Sequence, residues 1–232
     1  MRNLLSGRCT QHTGWMMSEV LAPEQTEAPT EAERQRARRA LDRLWQKGAD
    51  FLGTPYAILG GAMSWLSERH LVSAISNAGG FGVIACGAME PARLAEEIAA
   101  TRAMTDRPFG VNLITMHPQL DELVEVCLQA GVGHIVLAGG TPPGAAIKRI
   151  KDGGAKVIAF APALVLAKRL VRLGVDALVI EGAAAAGHIG PVSLTALAPG
   201  TLPHLPRGPV SAAGGVRPAH APLSPFDAGP PP

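Results

Sequence analysis

An α/β fold of repeated βαβ units, a (β/α)8 TIM barrel with about seven of its strands legible, is what the 232-residue sequence predicts on three observations. Short apolar runs recur along the chain, stretches of helical period separate them, and small or polar residues gather just after the runs. Continuous apolar strands joined by helical crossovers imply a parallel sheet buried on both faces. An open doubly wound sheet would concentrate its ligand at one switch point. Here Gly60-Gly61, Gly87, Asn112, Gly139-Gly140, Glu181-Gly182 and Gly214-Gly215 follow nearly every run, and a rim fed so widely favours the barrel.

The elements follow in order. Residues 1–30 are polar, contain Gly7, Pro23 and Pro29, show no steady period, and are expected to form a disordered leader. Over Glu31–Lys47, Leu41, Leu44 and Trp45 stand at helical spacing among charges, an amphipathic helix whose interleaved acids make its arginines a solvated face. Strands are expected at YAIL from Tyr56, FGVIA from Phe81, FGVNL from Phe109, HIVLA from His134, KVIAF from Lys156, ALVIE from Ala177 and PVSAA from Pro209. Helical period covers Pro91–Ala103, Gln119–Ala130, Ala145–Asp152 and Leu164–Leu173, with Gly131 and Gly174 as stop signals. The barrel domain is therefore expected over residues 31–215, and residues 216–232 as a Pro-rich irregular tail. Half of the twenty prolines stand from Pro199 onward and no eighth strand can be read, so an incomplete barrel is expected, from a truncated or frame-disrupted gene, with an open sheet edge.

Composition excludes several classes. Hydrophobic residues make up 47% and charged ones 17%, which rules out a disordered polyelectrolyte. No apolar run approaches the ~18 residues of a membrane span. A net charge of +2 with 4% aromatics argues against nucleic acid as a partner. Cys9, Cys86 and Cys127 fit neither a disulfide framework nor a metal site, so no metal is expected and a reducing, cytoplasmic location is the default. The chain has no P-loop, GxSxG, HExxH or CxxC motif. Pro142 and Pro143 remove two N–H groups from the one loop that suggests a nucleotide cradle, and Cys86, in apolar surroundings, is expected to be inert.

Five loop segments carry the remaining candidates. Gly60-Gly61-Ala62-Met63-Ser64-Trp65 allows backbone N–H groups close to a flat or anionic ligand and offers a methionine to an aromatic ring, although a tight turn alone accounts for it. Asn77–Gly82 reads as a turn before the second strand. Asn112 turns a carboxamide that both donates and accepts towards the rim, suited to a flavin or nicotinamide edge or to a helix cap. The small-residue loop Glu181–Gly190 carries His188, whose imidazole exchanges protons near neutrality. Ala213-Gly214-Gly215 follow the seventh strand, where barrels hold phosphate.

The order LGGAMSW, SNAGGFGVIACG, DRPFGVNLI, LAKRLVRLGVDALVIEG, AGHIG and PVSAAGG resembles the flavin-dependent nitronate monooxygenase (2-nitropropane dioxygenase) and enoyl-ACP reductase II family, over about Leu41 to Gly215. The resemblance implies FMN at the C-terminal rim of the barrel, no metal, and NAD(P)H as a co-substrate in the reductase branch. It makes His188, next to Gly187 in a GGHxG-like motif whose first glycine is Ala186 here, the catalytic residue. Gly61 and Met63 match the family's QGGM, with Gly60 and Ala62 at its other two positions. Asn112 matches the FGVN asparagine beside the flavin, and Gly214 and Gly215 match the phosphate glycines. The flavin-binding set it implies is thus Gly60, Gly61, Ala62, Met63, Asn112, Glu181, Gly187, Ala213, Gly214 and Gly215. A GTRF-like second phosphate loop is not found, which predicts weakened FMN binding, since each charge-assisted hydrogen bond is worth ~1.5–3 kcal/mol.

The expected reaction is oxidation of alkyl nitronates or nitroalkanes with O2 through the flavin, His188 taking the α-proton or donating to the nitro oxygens. The alternative is reduction of an enoyl thioester on acyl carrier protein, towards which Leu166-Ala167-Lys168-Arg169 leans. An inactive remnant is the third. The expected partners are a small-molecule substrate and a second copy in a homodimer, with no nucleic acid and no membrane.

Overall fold

Thr30 starts the first helix, α1 (Glu31–Leu52): its N–H and hydroxyl donate to Glu33 Oε2, each at 2.8 Å, and the Glu33 N–H returns a bond to Thr30 Oγ1, a reciprocal capping box. The computed structural model describes residues 29–185, 190–205 and 208–214. The expected leader lies outside the described residues except for residues 29 and 30; the Pro-rich tail, Gly187, His188 and Gly215 lie outside them altogether. The chain divides into two units, the first ending at Ala37 within α1 and the second beginning at Arg38.

In the second unit seven parallel strands run in sequence order. They are β1 (Leu59–Gly60), β2 (Phe81–Ala85), β3 (Phe109–Ile114), β4 (His134–Ala138), β5 (Lys156–Ala161), β6 (Ala177–Glu181) and β7 (Val210–Ala213). The crossovers are α2 (Arg69–Asn77), α3 (Pro91–Met104), α4 (Leu120–Gln129), α5 (Gly144–Asp152), α6 (Leu164–Arg172) and α7 (Leu194–Thr201). Sequential parallel order with a helix in every crossover is the barrel pattern, because a doubly wound sheet reverses its order at a switch point. The described residues thus form an incomplete TIM barrel, as expected.

Alternate strand residues face opposite ways. Val111 and Leu113 join Leu94, Ile98, Leu123 and Ile147 in the core under the helices. Phe81, Val83, Val136, Ile158 and Val179 form the interior cluster. Asn112 is in register with Ala85 and Val136, and Val136 with Ile158, which assigns it to the interior set.

The end of α1 closes the N-terminal mouth. Phe51 and Leu52 pack into the interior cluster, and the His134 ring stands edge-on to Phe51 and to Phe81, at 5.2 and 5.0 Å. The Phe51 carbonyl accepts from His134 Nε2 at 2.8 Å and from Lys156 Nζ at 2.7 Å, placing a cation at a helix C-terminus. Burial pushes the His134 imidazole below the usual histidine range; the bond to Phe51 opposes this and the charge of Lys156 adds to it.

A second anchor joins α2 to α3. Glu97, 1% exposed, accepts from the Arg69 N–H at 2.7 Å, from Nε at 3.2 Å and from the guanidinium at 2.5 Å. Burial pushes its carboxyl up, but the bonds and charge of Arg69, with that of Arg93, outweigh burial and hold it below the usual range. Removing Arg69 would leave the buried Glu97 carboxylate without its main partner.

The structure departs from the expected elements at three places. The first strand is two residues, not YAIL, because Tyr56 is drawn off the sheet: its N–H bonds Gly79 O at 3.1 Å and its ring meets Trp45 at 5.7 Å. Helix α1 runs past Lys47 to Leu52, its Gly48 packed so closely on Ala57 that a Cβ would stand 2.7 Å from that methyl. Helices α2 and α7 were not marked by period, and α7 even holds Pro199. No helix among the described residues is long and apolar enough to cross a membrane.

Candidate functional site at the C-terminal rim

Gly60 ends β1 and Gly61 opens its loop, and the two glycines do different work. A Cβ on Gly60 would stand 2.5 Å from Ile75 Cδ1, so this glycine lets α2 settle on β1; around the Cβ position of Gly61 nothing lies within 4 Å. Ser67 holds the loop shut from inside the protein. Its Oγ donates to Gly61 O at 3.1 Å and accepts from the Met63 N–H at 2.9 Å, and Met63 O accepts from the N–H groups of Leu66 and Ser67. The Ala85 N–H bonds Ser67 O at 3.0 Å, tying the loop to the end of β2. Glu68 then caps α2 by accepting from the N–H groups of His70 and Leu71. Met63, Trp65 and Leu66 stand exposed on this anchored loop.

Asn112 reaches the same sector through the sheet, in register with Ala85. It is 8% exposed, and its carboxamide makes no hydrogen bond to the described residues.

The other sector is built by β6 and β7. Glu181 is in register with Ala213, and the Gly182 N–H bonds Ala213 O at 3.0 Å. The N–H groups of Ala185 and Gly190 both return to Gly182 O, at 3.0 and 3.3 Å, and a Cβ on Gly190 would stand 2.0 Å from Glu181 O. Residues 185 and 190 are therefore pinned to the start of the loop, and the candidates Gly187 and His188 come between them, outside the described residues. Gly214 has φ +92°, and a Cβ there would meet Ala185 N at 2.2 Å and Ala184 C at 2.6 Å. The close approach that Gly214 permits is made by the chain's own backbone, which accounts for the glycine without a ligand.

The structure thus brings Gly60, Gly61, Ala62, Met63 and Asn112 into one sector of the rim and Glu181, Ala213 and Gly214 into another. Sequence reasoning missed Ser67, since a hydroxyl that closes a loop leaves no periodic signal. Burial pushes the Cys86 thiol up to about 11 and that of Cys127 to about 12, so both are inert. Among the described residues no group of side chains could hold a metal ion.

A flat heteroaromatic group with donors and acceptors on its edge fits the first sector, which offers space among the described residues at Gly61, a soft Met63 and the amide of Asn112.

The family model described as nitronate monooxygenase matches residues 46–124, a stretch that includes Gly60–Met63 and Asn112. A solved structure, FabK from Thermotoga maritima, is 39% identical, with TM-score 0.69, over 72% of this chain and 53% of that one. Over these spans the chain is similar to nitronate monooxygenases and to FabK. A second solved structure, a nitroalkane oxidase from Streptomyces ansochromogenes, is 25% identical, with TM-score 0.66, over 73% of this chain and 61% of that one. A curated relative, the (3aS,4S,5R,7aS)-5-hydroxy-7a-methyl-1-oxo-octahydro-1H-indene-4-carboxyl-CoA dehydrogenase of Mycobacterium tuberculosis, is 34% identical over 175 residues, 75% of this chain and 49% of the relative. The chain spans about half the length of the first curated relatives it matches.

Proposed function

We propose that the chain acts as an FMN-dependent oxidoreductase on an acyl thioester. The observation that carries the flavin is Asn112, a nearly buried carboxamide with no hydrogen bond to the described residues, in the sector where Gly61 faces open space. Gly61, Met63 and Asn112 would hold the ring, Asn112 donating to or accepting from its polar edge. When bound, FMN supplies two-electron redox chemistry. His188 would hold a proton at the substrate: its imidazolium would donate a hydrogen bond to the thioester oxygen as negative charge develops there and then give that proton to the α-carbon, and its neutral form would take the α-proton back in the reverse direction. The thioester is supported by the carboxyl-CoA named for the Mycobacterium tuberculosis relative and by the 39% identity to FabK.

A nitronate is the second substrate reading, supported by the family model over residues 46–124 and by the nitroalkane oxidase neighbour. There His188 would take the α-proton of a nitroalkane. NAD(P)H would be the electron source for the thioester reaction, and O2 the acceptor for the nitronate reaction.

The test is visible flavin absorbance of the purified chain after FMN addition and gel filtration, followed by assays with crotonyl-CoA plus NADH and with propionate 3-nitronate in air. Bound flavin with turnover of the thioester is the expected outcome. Turnover of the nitronate alone would move the chain to the second reading, and a colourless protein would sink both.

A further inference from the structure

Trp65 sits in a conformation that bulky residues avoid. Its φ is +68°, and among the described residues it is the sole non-glycine with positive φ. In the left-handed region the Cβ crowds the carbonyl oxygen, and for a bulky side chain such a φ is a real outlier. Packing commonly offsets strain of this kind, yet the indole is 94% exposed. The loop around it is not loose: Ser67, Met63 O and the Ala85 N–H lock both flanks. A rigid turn therefore presents an aromatic ring to the outside, beside exposed Met63 and Leu66, on the loop whose first residue, Gly61, opens the candidate flavin sector. Strain held by a loop's own hydrogen bonds next to a ligand site is the pattern of a pre-organised binding residue.

We propose that Trp65 is a specificity-determining residue, which packs on the apolar body of the acyl thioester where that body meets the rim. This rests on the thioester reading above. Met63, Trp65 and Leu66 stand exposed on the loop that Gly61 opens, so an extended acyl chain or fused ring entering beside Gly61 would cover them, whereas a short nitroalkane bound at the flavin would leave them wet. Trp65 contributes area and no chemistry; its removal is expected to change the preference for acyl length and to leave the reacting end untouched.

The experiment titrates butyryl-, octanoyl- and lauroyl-CoA calorimetrically into the wild-type chain, W65F and W65G, with thermal melts, flavin absorbance and sedimentation equilibrium on the same samples. Affinity in the wild type should rise with acyl length, up to about fourfold per methylene covered. W65F should keep most of this rise. W65G should lose it while melting higher than the wild type, because glycine accepts the positive φ, so a lost rise is not a misfolded protein. An equal rise in wild type and W65G, or none in the wild type, overturns the proposal. So does a wild-type dimer that W65G dissociates, since a second copy would then be what covers the indole. Should flavin fail to bind while the rise and its loss in W65G persist, the oxidoreductase reading falls and this one stands; bound flavin with no rise gives the reverse.

Discussion

At the N-terminal mouth Phe51 and Leu52 fill the interior, His134 sits between two aromatic rings, and the carbonyl of Phe51 is bonded by two donors. At the C-terminal mouth no described atom lies within 4 Å of a Cβ on Gly61, the Asn112 carboxamide makes no hydrogen bond to the described residues and Trp65 holds a strained turn in the open. A cleft of about 520 Å³ does lie at the N-terminal end, beside Phe51 and Lys156. Two of its cations are already engaged there, Lys156 by the Phe51 carbonyl and Arg102 by Gly131 O at 3.4 Å. The contrast shows how the fold divides its labour: at one end aromatic side chains and their bonds to Phe51 fill the interior, while at the other small residues and exposed apolar side chains line the loops. In barrels of this kind the first pattern belongs to the stability face and the second to the active face.

The contrast can be broken most sharply at His188. His188→Ala is expected to lower turnover by ~10²–10⁴, the span of a lost acid or base, with flavin content and melting temperature unchanged. Comparable turnover in the variant would remove this histidine from catalysis. Next, Phe81→Ala at the closed end should cost ~3–5 kcal/mol in urea unfolding, since the ring is fully buried against His134, and each folded molecule should still bind flavin. Loss of flavin without loss of stability would mean that the closed end serves the site.

Gly214→Val tests whether rim glycines serve ligand or fold. Its φ of +92° and the 2.2 Å approach of Ala185 N predict a loss of at least ~2 kcal/mol together with lowered flavin stoichiometry. Lowered flavin at an unchanged melting temperature would give Gly214 a role in ligand binding alone. The smallest effect is one of pH. The pKa of His134 is lowered by folding, so above the unfolded value of about 6.5 both states are neutral and its contribution is constant. As pH falls below that value the unfolded chain takes the proton first and stability declines. His134→Gln, which keeps a donor for Phe51 O, should flatten this decline in melts from pH 7.5 to 5; an equal decline in the variant would assign it to other groups.

Strand order and most strand limits were legible because period and β-branched runs are local properties: β2, β4 and β6 begin and end where the apolar runs do. Where a distant partner competes, legibility failed. Tyr56 is apolar enough for a strand but is taken by Gly79 and Trp45. Helix α2 hides its period because Ser73 and Ser76 are on its buried side, where the Ser76 hydroxyl donates to Pro108 O at 3.0 Å. In the site the candidates were found as a class, rim glycines and one amide, but the sequence could not distinguish Gly60 from Gly61.

By itself, then, the sequence determined the alternation of strands and helices, their order, the end at which the polar loops collect and the family motifs, all carried by neighbours a few residues apart. Only the tertiary structure decided which glycine is filled by a side chain and which is open, that the end of α1 plugs the interior, that Asn112 has no hydrogen bond to the described residues and that Trp65 is strained and bare. Those facts depend on atoms brought together from tens of residues away, and whether a polar or apolar group is satisfied can be known only when every neighbour is in place.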